Sequence, residues 1–159
     1  MKIDILAVGK IKEYYYRDAA DEYIKRLSRY AKVSVIEVKD DRTREGASDR
    51  ENDLVKSAEE TRLMQHIDDD AVIIPLCIEG RQYSSEQFAD LITEIENRGN
   101  SHIQFVIGGS LGLAQQIKDR GYVKLSFSQM TFPHQLMRVV LLEQIYRAYR
   151  IKNNEPYHK

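Results

Sequence analysis

A chain of 159 residues with 42% hydrophobic and 31% charged content has the size of one ordinary globular domain, able to bury about 70% of its unfolded surface around one core. Its formal net charge of −1 supplies no general attraction to DNA, RNA or anionic lipid, and no run approaches the ~20 apolar residues of a membrane span. The opening MKIDILAVGK lacks the apolar region and cleavage site of a secretory signal, which makes the cytoplasm the expected location; the single Cys77, inside AVIIPLCI, fits a reducing compartment and reads as core filling.

Apolar alternation and β-branched residues predict a strand over KIDILAVG (2–9), and apolar residues then recur at helical spacing from Glu13 to Tyr30. VSVIEVKD (33–40) reads as a second strand. In the polar stretch that follows, Ser48 with Glu51 three residues on forms a capping box for a helix over 49–67. AVIIPLCIEG (71–80) is a nearly continuous apolar run, the pattern of a strand covered on both faces in a parallel sheet. Pro75 inside it is an anomaly, because proline removes a ladder donor and normally marks an edge or a bulge.

Ser84 or Ser85 caps the next helix, which runs to Arg98 and closes on Gly99. HIQFVIGGSLG (102–112) is another buried strand ending in glycines, LAQQIKDRG a short helix, and YVKLSFS (122–128) a last strand. A polar turn then passes through Pro133, suited to the first position of a long amphipathic helix. Strands and helices alternate to the end, so the expected fold is one α/β domain over 1–159, a mostly parallel sheet with helices on both faces.

In open α/β sheets ligands bind beyond the carboxyl ends of the strands, which directs attention to the loops 76–80, 108–112 and 126–133. The glycines of IGGSLG permit close backbone approach to a ligand, but their spacing is neither the dinucleotide G-x-G-x-x-G nor a Walker loop. FSQMTF offers main-chain polar groups between the apolar side chains of Phe127, Met130 and Phe132, which suits a flat, uncharged heterocycle such as adenine, though a packed structural turn has the same pattern. The histidines His66, His102, His134 and His158 have no metal-ligand spacing, and no metal is expected. Arg138, Arg147, Arg150, Lys152 and Lys159 face only Glu143 and Glu155 along the last helix and tail, so a basic C-terminal face and an ordinary solvated helix surface both remain open.

FVIGGSLG, LSFSQMTFPHQLMRVVLLEQIYRAYRI, the opening MKIDILAVGKIKE and the terminal PYHK together closely resemble the bacterial RlmH family of SPOUT-class methyltransferases. The resemblance runs the length of the chain and is weakest over 40–70. It implies a sheet whose C-terminal segment is threaded into a deep trefoil knot, an exception to the rule that connections do not thread loops. It also implies an S-adenosylmethionine-dependent enzyme that methylates N3 of a pseudouridine in 23S ribosomal RNA, acting as a homodimer on assembled ribosomes. On this likeness Leu76, Gly108, Phe127, Ser128, Gln129, Met130, Thr131 and Phe132 hold the cofactor.

The same likeness makes His158 the base or orienter, Tyr157 a stacking or hydrogen-bonding partner, and Arg147 and Arg138 contacts to phosphate or developing charge. His134 lines the site or packs the helix start, and a tail so far in sequence from the cofactor loops would reach a neighbouring subunit's pocket. Along the last helix the apolar residues Leu136, Val139, Val140 and Ile145 serve either a dimer interface or the core. Two other functions stay open on residues alone: a flavin- or nucleotide-binding module without methyl transfer, and a non-catalytic ribosome-associated dimer.

Overall fold

Five strands and five helices alternate along the chain in a computed structural model that describes residues 1–159. In chain order they are β1 (Lys2–Val8), α1 (Tyr14–Leu27), β2 (Lys32–Val38), α2 (Asp49–Met64), β3 (Val72–Gln82), α3 (Ser85–Asn97), β4 (His102–Ile107), α4 (Gln115–Asp119), β5 (Leu125–Ser126) and α5 (His134–Lys152). The strands lie in the order β2-β1-β4-β3-β5, and every pairing is parallel. All carboxyl ends therefore share one edge, and the loops after them share one surface.

The period-2 alternation of the strands divides the core. Ile3, Ile5 and Ala7 of β1 point to one face with Ile103, Phe105 and Ile107 of β4, where α1, α3 and α5 bury Leu27, Ile92, Ile95, Leu141 and Ile145. Leu6, Val8 and Val106 point to the other face, covered by Leu63 of α2 and Ile117 of α4. Each fully buried Ile or Leu contributes about 1.5–3 kcal/mol. Helices thus cover both faces, as the continuous apolar runs of β3 and β4 require.

The caps read from the sequence form. Ser48 and Glu51 make a reciprocal capping box at α2, and Ser84 with Gln87 does the same at α3, which closes on Gly99 at φ +86°. The last strand is shorter than YVKLSFS suggests: only Leu125 and Ser126 keep strand geometry beside β3. Upstream, Tyr122 still donates to the Ile73 carbonyl and Arg81 to that of Lys124, but after Ser126 the chain leaves the sheet to wall a cavity. Pro133 stands as the residue before α5, one position earlier than expected.

Pro75 is neither at an edge nor misplaced. It pairs with Val106 of β4, while its Cδ, which occupies the place of the missing N–H, faces Gly121. A Cβ on Gly121 would stand 2.7 Å from that carbon, so the proline ring fills the gap where β3 has no strand partner, and the register with β5 shifts between Leu76 and Arg81.

Candidate functional site

At the carboxyl edge the loops after β3, β4 and β5 enclose a cavity of about 320 Å³, within the range of small-molecule sites. Leu76, Cys77, Ile78 and Glu79 form one wall, Gly108–Leu113 a second, and Phe127, Ser128, Met130, Thr131 and Phe132 a third, with His134 and Met137 of α5 beneath. The expected cofactor residues converge here with one exception, Gln129, which is exposed and stands off the lining. Met130, 75% exposed, and Phe132, 38% exposed, have no core neighbours to cover them, as apolar walls awaiting a ligand would not.

Short-range bonds fix these walls. The Ser126 hydroxyl meets both the Ile78 carbonyl (2.9 Å) and the Ser128 carbonyl (3.1 Å), stapling the β3 loop to the β5 loop; Ser128 in turn accepts from the Met130 N–H. Across the cavity the glycine loop folds on itself: Gly112 at φ +79° donates to the Gly109 carbonyl, and a Cβ on Gly108 would stand 2.6 Å from the Gly112 carbonyl carbon. Only glycine lets the two main-chain segments approach this closely. Lys118 pairs with Glu79 at the rim.

Behind the glycine loop sits Glu59 of α2, only 4% exposed. It accepts the Asp41 N–H, and both its oxygens lie 3.1 Å from where a Gly109 Cβ would be. Burial pushes its carboxyl above the usual range, the Asp41 N–H pulls back, and the charges of Asp41 and Asp40 push further. The Thr43 and Ser110 hydroxyls share a hydrogen bond of 3.3 Å, so the loop after β2 is tied to the glycine loop directly, while its Asp41 N–H holds the Glu59 carboxylate that packs behind Gly109. The 40–70 region, the least familiar part of the sequence, thus supports the cavity from outside.

Two readings change and one open alternative closes. Cys77 is half-buried and lines the cavity, not the core, and burial raises its thiol pKa. Arg138 cannot touch RNA: it is 0% exposed and reaches the sheet, donating to Glu37 (2.6 Å) and to the Val8 and Gly9 carbonyls. Nor is there a free basic face on α5, because Arg147 pairs with Glu143, Arg150 with Glu155 and Lys152 with Glu96. His134 does line the cavity, with burial depressing its pKa ahead of the nearby Arg138 charge.

The tail lies apart from the cavity of its own chain. The Tyr157 hydroxyl donates to Glu143, Arg147 Nη1 is 3.3 Å from His158 Nδ1, and His158 Nε2 is 2.8 Å from Glu86 at the start of α3. Burial first, then Tyr23 and Glu143, drive the Tyr157 pKa upward, while its own backbone N–H, then His158 and Ser84, hold Glu86 at about 2. Arg147 also lies 4.7 Å from the Tyr157 ring centroid. His158, Tyr157 and Arg147 therefore form one cluster, separate from the loops. On α5, Ile145 belongs to the core, whereas Leu136, Val139 and Val140 stay half-buried.

Lys118, Met137 and Glu59 were not legible as site residues. Lys118 and Met137 reach the cavity from helices, and Glu59 looks like any surface carboxylate in a polar helix; a hint lies in its burial face, shared with Leu63 four residues on.

Comparison with known proteins gives a consistent picture. A sequence model of the family described as "Predicted SPOUT methyltransferase" matches residues 1–158. The ribosomal RNA large subunit methyltransferases H of Bifidobacterium animalis subsp. lactis (strain AD011) and Bifidobacterium adolescentis are 58% and 57% identical over 159 residues, covering 100% of each chain. That of Clostridium botulinum (strain Hall) is 54% identical over the same span. Among solved structures, a probable methylase family protein from Haemophilus influenzae Rd KW20 shares the fold with a TM-score of 0.55 at 11% identity, over 99% of this chain and 70% of that one.

Proposed function

Because the chain belongs to the SPOUT methyltransferase family and matches ribosomal RNA large subunit methyltransferases H along its whole length, we propose that it carries a methyl group from S-adenosylmethionine to N3 of a pseudouridine in 23S ribosomal RNA, on the assembled ribosome in the cytoplasm. The observation that carries this reading is the cavity at the carboxyl edge, whose walls are apolar side chains and folded-back main chain. Such walls fit an adenosine moiety: Leu76, Phe127, Met130 and Phe132 enclose the ring, and the backbone about Gly108 and over 127–132, Gln129 included, supplies polar groups.

When bound, S-adenosylmethionine supplies a methyl group that is already electrophilic on its sulfonium. The residues of the chain have two tasks, to hold the donor and acceptor in line and to manage one proton. Orientation of this kind lowers a barrier by roughly several kcal/mol. The acceptor N3–H is a weak acid, so His158 takes its proton, Arg147 stabilises the developing anion, and Tyr157 stacks on or hydrogen-bonds the base. His134, whose pKa burial lowers, lines the cavity where it can contact the substrate.

The tail cluster faces Glu86 and Glu143 of its own chain and not its own cavity, so a complete site needs the tail of a second copy. The protein accordingly acts as a homodimer, with the half-buried Leu136, Val139 and Val140 available to the interface. The single domain over 1–159 carries a C-terminal trefoil knot in this reading. Support comes from the path of the chain: after Ser126 is stapled to the β3 loop, it passes under the cavity and returns to β1, where Arg138 binds the Val8 and Gly9 carbonyls.

The test is transfer of radiolabelled methyl to ribosomes from a strain lacking the modification, followed by nuclease digestion. Label recovered as N3-methylpseudouridine from large-subunit RNA is the expected result; ribosomes that stay unlabelled while the protein binds the cofactor refute the assignment.

A further inference from the structure

The turn from β1 into α1 exposes more aromatic surface than a soluble helix start has use for. Tyr14 is 73% exposed and Tyr15 52%, and their rings meet edge to face at 5.5 Å, with Tyr15 on Tyr16 at 4.6 Å. Neither Tyr14 nor Tyr15 packs against either core cluster. Around them Lys10, Lys12 and Arg17 are exposed and lie in no ion pair, Arg17 donating only to the Ile11 carbonyl. The carboxylates of the turn are Glu13 and Asp18; Glu37 is engaged by the Ile11 N–H and Arg138, and Asp40 faces Gly9.

This turn borders the cavity. The N–H groups of Lys12 and Glu13 both donate to the Gln135 side chain (2.9 and 3.4 Å), and Gln135 follows the cavity residue His134. Gly9, at φ +85°, brings the chain so close that its Cβ would stand 3.6 Å from His134 Nε2. An occupant of the cavity that extends past His134 and Gln135 reaches the main chain of this turn.

The geometry points to the β1–α1 turn as the surface on which unpaired RNA next to the methyl acceptor rests, its bases on Tyr14 and Tyr15 and its phosphates near Lys10, Lys12 and Arg17. Exposed aromatic faces interleaved with cations are the chemistry that single-stranded RNA requires, since every base has a face to stack and every linkage a charge to neutralise. A second copy of this chain would have to dry three cations that have no ion-pair partner in their own chain, and the sedimentation arm of the experiment below separates that occupant from RNA. The assignment rests on large-subunit RNA being the substrate and names the part of the protein that holds it outside the reacting centre. It concentrates positive charge locally in a chain whose net charge is −1.

The experiment measures methylation of modification-free ribosomes by the intact protein carrying Tyr14→Ser with Tyr15→Ser, and separately Lys10→Ala with Lys12→Ala. The tyrosine pair should raise the KM for ribosomes about tenfold, the loss of one to two stacked bases, while kcat at saturation and calorimetric cofactor affinity stay unchanged. The lysine pair should weaken ribosome binding and flatten its dependence on salt. Because all four side chains are exposed, circular dichroism and the Tm should match the parent. An unchanged KM in both variants overturns the proposal, and so does a tyrosine variant that turns monomeric in sedimentation, which would make the patch a self-association surface. Failure of the parent protein to methylate ribosomes would instead count against the enzyme reading itself.

Discussion

Arg138 of α5 holds Glu37 of β2 at 2.6 Å while its other terminal nitrogen spans the Val8 and Gly9 carbonyls at the end of β1. One guanidinium thus ties the last helix to the first two strands, with its side chain fully buried and that of Glu37 32% exposed. Arg138→Met removes the donor to two carbonyls and leaves the part-exposed Glu37 carboxylate with only the Ile11 N–H, a change that costs about 3 kcal/mol. Thermal unfolding should move down by roughly 10 °C. If Arg138 served RNA instead, the variant would keep its Tm and lose only affinity for ribosomes.

Gly108→Ala places a methyl group 2.6–2.9 Å from the main chain of Gly112 and Leu113, atoms that no rotamer change can move aside. The glycine loop must open, and the cavity wall it forms opens with it. Calorimetry should show cofactor affinity reduced at least tenfold, about 1.4 kcal/mol. Gly46→Ala is the control: that glycine has a positive φ, +76°, so a side chain strains its backbone, but nothing lies within 4 Å of its Cβ position and it is outside the cavity, so stability falls slightly and cofactor affinity stays.

Glu59 should betray its burial through pH. Its folded pKa lies above the unfolded one, chiefly by desolvation, so the fold binds this proton more tightly than the unfolded chain does. Stability from this group is therefore present below the unfolded pKa and is lost as pH rises through the folded one. Glu59→Gln keeps an acceptor for the Asp41 N–H without the charge. Calorimetric scans should find the variant at or above the parent Tm near about pH 8, with the gap closing near about pH 4; a variant less stable at the alkaline end and equal at the acid end would contradict the sign.

The sequence carries the strand and helix pattern plainly because period 2 and period 3.6 are local: the capping boxes at Ser48 and Ser84 and the closing Gly99 are written in four-residue stretches. What it hides is non-local. Arg138 reads as a surface cation until the fold brings Glu37, 101 positions away, beneath it, and Cys77 reads as core until β5 fails to cover it. Pro75 looks like an edge residue because nothing local announces that Gly121 will receive its ring. The cavity loops are readable as loops after strands; that Lys118, Met137 and Glu59 attend them depends on how helices pack over the sheet.

The separation of the tail cluster from its own cavity makes a mixing experiment decisive. Let one subunit carry Gly108→Val, which blocks its cavity but leaves Arg147, Tyr157 and His158 intact, and let the other carry Tyr157→Phe with His158→Ala, which leaves its cavity intact. Each variant alone should be inactive in methyl transfer. If a site combines the cavity of one subunit with the tail of its partner, a mixed dimer regains one complete site, and random exchange of equal amounts restores roughly a quarter of the parent activity. If the tail served its own subunit, every subunit in the mixture would still lack one half of its site, and no activity would return. The Tyr157–Glu143 and His158–Glu86 bonds, which keep the tail on the surface of its own α5 and α3, favour the first outcome.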